Sequence, residues 1–104
     1  GGDLAADRRG LWVSQYVMTL TLREFERQLR PLLAGWSVDR LAEGWRLRQE
    51  ARTVDICCRP LPALPLGALA LPRLAVSIDF AGSEPLQEAA FIDDFMHCFR
   101  RGGG

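Results

Sequence analysis

Residues 61 to 80, Leu-Pro-Ala-Leu-Pro-Leu-Gly-Ala-Leu-Ala-Leu-Pro-Arg-Leu-Ala-Val-Ser-Ile-Asp-Phe, join a proline-punctuated apolar run to a strictly alternating segment. In the second part, Leu74, Val76, Ile78 and Phe80 point one way and Arg73, Ala75, Ser77 and Asp79 the other. A period of two is the signature of a strand with one covered face and one wet face. Upstream, Pro60, Pro62, Pro65 and Pro72 forbid a continuous helix and discourage a central strand, so that stretch is expected to be an extended loop or arm. Leu61, Leu64, Leu66, Leu69 and Leu71 then have no obvious cover. Three such leucines exposed together make an apolar patch of a few hundred Å², the kind that marks a partner surface, and all five are candidate binding residues.

Amphipathic patterns flank this join. Thr21 followed by Glu24 is a capping-box pair, and the helix it opens at Leu22 is expected to bury Leu22, Phe25, Leu29, Leu32 and Leu33, with Trp36 beyond. Glu26 and Arg30 stand four apart beside that stripe, Pro31 falls on the solvent side, where it kinks or ends the regular helix, and Gly35 marks the stop. Leu11 to Leu20 reads as a strand with Trp12, Tyr16 and Met18 on one side. Trp36 to Leu41 and Trp45 to Gln49 read as strands reversing at Glu43-Gly44, with a helix over residues 38–52 as the competing reading. In the segment Arg52 to Arg59, Val54, Ile56 and Cys58 face away from Asp55, Cys57 and Arg59. Ser83, Glu84 and Pro85 then open a helix that runs to about Arg100 and aligns Phe91, Ile92, Phe95, Met96 and Phe99. This order predicts an α+β fold, a small antiparallel sheet with two amphipathic helices on one face, compatible with a ferredoxin-like variant.

A chain of 104 residues suits one domain, expected over residues 11–100 between a glycine-rich polar leader (1–10) and a short tail (101–104). The 13 basic residues, all arginine, balance 13 acidic ones, so no long-range field draws the chain to nucleic acid or an anionic membrane. Lysine Schiff-base chemistry is excluded by composition. Three cysteines are too few for the disulfide framework of a small secreted domain, and neither a signal peptide nor a membrane-spanning run is visible, which points to the cytoplasm.

Groups able to carry chemistry are sparse. Asp93 and His97 lie four apart on the last helix, and two ligands do not make a metal site. Cys57, beside Asp55 and Arg59, is a candidate nucleophile if the guanidinium lowers its thiol pKa, and adjacent Cys58 points to the opposite face of a strand. Cys57, Asp93 and His97 are therefore weak catalytic candidates. No phosphate loop, dinucleotide fingerprint or nucleophile elbow is present, and no cofactor or metal is expected. The row Arg23, Arg27 and Arg30 is interrupted by Glu24 and Glu26, which weakens a nucleic-acid reading, and Trp12, Trp36 and Trp45 read as core residues rather than stacking platforms. The expected function is a noncatalytic protein-interaction or assembly module acting through the leucine arm and a sheet edge or wet sheet face, on a foreign protein or, as a homodimer, on a second copy. The alternative is a small enzyme or ligand-binding domain with a pocket between sheet and helices.

Overall fold

The computed structural model describes residues 13 to 100. The expected leader, Trp12 and the tail lie outside the described residues. The chain forms β1 (Val13–Met18), α1 (Leu22–Leu33), β2 (Ser37–Leu41), β3 (Gly44–Gln49), β4 (Arg52–Leu66), β5 (Leu69–Ala81) and α2 (Pro85–Phe99). The alternating segment lies in β5, where Leu74, Val76, Ile78 and Phe80 are buried. Antiparallel pairing sets Val54 opposite Phe80, Ile56 opposite Ile78 and Cys58 opposite Val76, so consecutive buried rungs cross the centre of the sheet on one side. Each large aliphatic or aromatic side chain fully buried this way contributes about 1.5–3 kcal/mol.

The sheet order is β1-β5-β4-β3-β2, and every neighbouring pair is antiparallel. Strands β2 to β5 form a meander. β1 and β2 occupy opposite edges and run parallel to one another, with three strands between them and α1 as the crossover. A ferredoxin-like arrangement would leave a single strand between those two and add one after the second helix. The α+β class holds, and the topology is β-α-β-β-β-β-α. The helical reading of residues 38–52 gives way to β2 and β3, joined through Ala42 and Glu43 and in register from Leu41–Gly44 to Ser37–Arg48.

α1 starts on the expected capping box: the Glu24 amide donates to Thr21 Oγ1 at 3.1 Å and the Thr21 amide to Glu24 Oε1 at 2.9 Å. Phe25, Leu29 and Leu32 are buried, whereas Leu22 sits at the exposed helix start. Pro31 lies in the last turn of α1, where it leaves the Arg27 carbonyl without its amide and the helix ends two residues later, and Gly35 follows in the left-handed region at φ +90°. Glu26 does not pair with Arg30: it accepts from Arg40 Nη1 of β2 at 3.2 Å, tying helix to sheet edge. α2 caps one residue later than expected, with Glu84 at the N-cap donating its amide to Gln87 Oε1 at 2.8 Å. The Ser83 hydroxyl instead accepts from Arg52 Nε at 3.1 Å. Phe91 and Phe95 are buried, while Met96 is partly open to solvent.

Residues of both helices join the buried strand residues in one core cluster. Phe25 lies at its aromatic centre, with ring centroids 4.9 Å from Phe99, 5.9 Å from Trp45 and 6.1 Å from Phe95. Trp36 meets the Phe91 ring edge-on at 5.7 Å and carries the Arg52 guanidinium at 5.0 Å. Among the described residues, no helix lies over the opposite face of the sheet.

Candidate interaction surface

Antiparallel register arranges the open face in rungs. One rung runs Asp79, Asp55, Arg46, Asp39 across β5, β4, β3 and β2. Arg46 forms a bidentate pair with Asp55, at 2.8 and 2.9 Å, and the Asp55 bond holds its guanidinium pKa above the usual value. Arg48 reaches diagonally to Asp39 at 2.9 Å. Asp79 faces Asp55 directly, and burial, with that carboxylate second, raises its pKa. The next rung is Gln15, Ser77, Cys57 and Gly44, and the one after it Val17, Ala75 and Arg59. Their small side chains floor a shallow depression of about 430 Å³, bordered by Gln15, Val17, Glu43 and Arg59.

Beyond these rungs the central hairpin leaves the sheet. β3 reaches only to Gly44, opposite Cys57, and β1 only to Met18, opposite Leu74. β4 and β5 continue together to the Leu66–Leu69 pair and reverse through Gly67, at φ +62°, and Ala68. The stretch expected as an extended loop or arm is therefore a two-stranded arm extending about 20 Å past the sheet. Prolines are tolerated here because neither strand has an outer neighbour: an amide absent from an outward edge leaves no ladder bond unmade. The same prolines keep that edge from templating a further strand.

A β-bulge decides where the leucines point. Leu61 pairs with Arg73, the register shifts between Leu61 and Leu64, and pairing resumes as Leu64–Leu71, Pro65–Ala70 and Leu66–Leu69. β5 carries Leu69 and Leu71 on the same side as Arg73, Ala75 and Ser77. The extra β4 residue changes parity, so even-numbered Leu64 and Leu66 join odd-numbered Leu61 on that side. All five candidate leucines thus share the open face. Leu64, Leu66 and Leu69 are 44%, 56% and 66% exposed, and Leu61 and Leu71 are half-buried.

The polar candidates separate. Asp55, Cys57 and Arg59 lie on the open face, whereas Asp93 and His97 are exposed on α2, whose phenylalanines pack into the core beneath the other face. The sheet stands between Cys57 and His97. Among the described residues, Asp93 and His97 make no hydrogen bond or ion pair with each other, and no cluster of three or more His, Cys, Asp or Glu is placed to hold a metal ion. Asp93 borders a groove between β1 and α2 with Phe80, Glu88 and Ile92, away from the other polar candidates. Burial pushes the Cys57 thiol pKa up, aided by Asp55, Asp79 and Glu43, against which Arg46 acts weakly; the expected activation by a guanidinium is reversed. Burial raises Cys58 to about 12 and also raises Cys98. Each of these thiols is a poor nucleophile at neutral pH. The features that residue-type reasoning missed are the small side chains of Ala75 and Ser77, whose signal was their alternation on the wet side of β5.

No protein-family model, no curated protein and no solved structure matches this chain. No helix among the described residues is long and apolar enough to cross a membrane.

Proposed function

We propose that this chain is a noncatalytic interaction module that binds a protein partner through the leucine face of its hairpin arm and the adjoining open sheet face. The observation that carries the reading is the bulge, which gathers leucines of unlike parity onto the side of the sheet that no helix among the described residues covers. An isolated two-stranded ribbon is marginal in water, and this arm has no packing partner on its apolar side among the described residues, so contact with another molecule would stabilise it. Proline along the β4 edge disfavours strand addition and favours docking through the face. The scattered polar groups and the raised thiol pKa values give the small-enzyme alternative no supporting constellation.

The test separates a binding arm from a structural one. In a shortened chain, an Asn-Gly turn joins Leu61 to Arg73, which pair directly, and replaces residues 62–72. Its urea midpoint is expected to match that of the parent, because the deleted side chains lie outside the buried core. A photo-crosslinking residue at position 66 of the full-length chain is expected to give a discrete adduct in its native cell, and one at exposed Leu86 on α2 is not. Marked loss of stability on shortening, or identical adduct patterns at the two positions, overturns the reading.

A further inference from the structure

β5 runs without irregularity from Leu69 to Ala81, and its outward residues make a ruler with rungs about 6.8 Å apart. Toward the tip from the Leu61–Arg73 rung come Leu64–Leu71 and then Leu66–Leu69. In the other direction come Arg59–Ala75 and then Cys57–Ser77. Two rungs of projecting leucines on one side are thus matched, at equal distances, by two rungs with small side chains on β5 on the other. A two-fold axis across the strands at the Leu61–Arg73 rung exchanges the two sets.

We infer that the partner of the arm is a second copy of this chain, docked open face to open face about that axis. The inference rests on the reading of the arm as the binding surface. Each arm lies along the second copy's depression, with Leu66 over Cys57 and Leu69 over Ser77 of that copy, and Leu71 over its Ala75. The contact is isologous and closes at two chains, as a two-fold requires. Gly44, next to Cys57 on β3, adds no side chain to the rung that must receive the tip.

Net charge does not oppose this packing, and the like-charged approach lies at the axis, where the Arg73 side chains of the two copies face each other. The chain is formally neutral, so two copies carry no bulk repulsion. Arg73, at the axis, donates its Nε to the Pro62 carbonyl at 3.1 Å, which directs the guanidinium along its own arm. Arg59 can lay its aliphatic stem beside the incoming Leu64 with its charged head at the rim. The Arg46–Asp55 pair lies one rung past the reach of the tip and is already satisfied. Five rungs span about 27 Å, and with a width near 15 Å the contact covers about 400 Å² on each chain. A total of about 800 Å² is half the standard interface and belongs with weak, reversible complexes, so the expected dissociation constant is micromolar or weaker.

Sedimentation equilibrium and cross-linking test this together. The apparent mass is expected to rise from the 11.6 kDa of one chain toward twice that value as concentration increases into the high micromolar range. A Leu64→Asp, Leu66→Asp double variant is expected to stay at one chain mass throughout. With a short bis-maleimide, Leu66→Cys is expected to give a covalent dimer through Cys57 of the second copy, and the dimer should be lost in Leu66→Cys with Cys57→Ser. Leu86→Cys is the exposed control on the helical side and should give none. Both cysteine changes leave the buried core intact, so the readout does not depend on the aspartate variant folding. A wild-type chain monomeric at every concentration overturns the second-copy inference and leaves the arm for a foreign protein. A dimer that survives the aspartates, or cross-links that ignore Cys57, overturns it as well. Failure of the arm reading itself shows separately, as lost stability in the shortened chain.

Discussion

Replacing Gly44 by alanine tests how tightly the β3 and β4 backbones approach at the end of their ladder away from their connecting turn. A Cβ at this position would stand 1.9 Å from the Ile56 carbonyl oxygen and 2.9 Å from the Cys57 Cα. A carbon and a carbonyl oxygen normally approach no closer than about 3.3 Å, so the strands must part by about 1.4 Å. Both obstacles are backbone, and no side-chain rotation relieves them. The same opening strains the bond from the Cys58 amide to the Glu43 carbonyl, 2.7 Å long, which ties the β2–β3 turn to β4. Overpacking of this kind costs about 1–3 kcal/mol, and loss of that hydrogen bond adds about 1. Gly35→Ala is the internal control: its φ is +90° and no atom lies within 4 Å of the added carbon. Its cost is conformational only, about 1–2 kcal/mol. Urea denaturation followed by tryptophan fluorescence, with Trp45 next in the chain to Gly44 as reporter, should lower the Gly44→Ala midpoint by about 1–3 M, given a slope of about 1–3 kcal/mol/M. A midpoint unchanged from wild type, or a loss smaller than that of Gly35→Ala, refutes the close-approach argument.

Asp79→Asn removes a carboxylate facing Asp55 across the strands and is expected to stabilise the fold at neutral pH by about 0.2–1 kcal/mol. Because the folded-state pKa of Asp79 is raised, its protonation favours the folded chain: that contribution is complete below the ordinary value of 3.8 and is lost as pH rises through the folded value. The gain from the substitution should therefore shrink on acidification, and a gain that persists unchanged below pH 3.8 would contradict the assignment. Thiol modification under native conditions should reach Cys57 slowly and Cys58 only on unfolding, since Cys58 is 5% exposed with its pKa pushed up to about 12. Mass spectrometry of partly labelled protein checks this, and prompt labelling of Cys58 in folded chains would contradict its burial.

The alternations in β4 and β5 were legible because one side of each strand is dry, and dryness acts on every second residue. The capping box of α1 was legible because its partners lie three residues apart. Loop and arm were not separable from sequence because proline reports only a missing donor. Whether that donor is needed depends on where β1 and β3 stop, a property of distant segments. The bulge was hidden for a related reason: it reconciles the register set inside the sheet with the register set by the turn at Gly67, and neither is local to residues 61–64. Cys57 reversed its expected character because burial within the assembled sheet dominates, and Asp55, Asp79 and Glu43 together outweigh Arg46. The candidate leucines themselves were found from composition, but their common face was not.

The edge-to-edge crossover through α1 has a consequence for the order of events in folding. β2 to β5 can zip by successive short reversals, each closing a loop of a few residues. Among the described strands β1 pairs with β5 alone, and Val13 must find Asp79, so its pairing waits for nearly the whole sheet. At a synthesis rate of about 5–20 residues per second, β1 spends roughly 3–13 s after it is made before its partner strand exists. The meander can therefore nucleate first, leaving β1 to dock against it as a late, long-range closure.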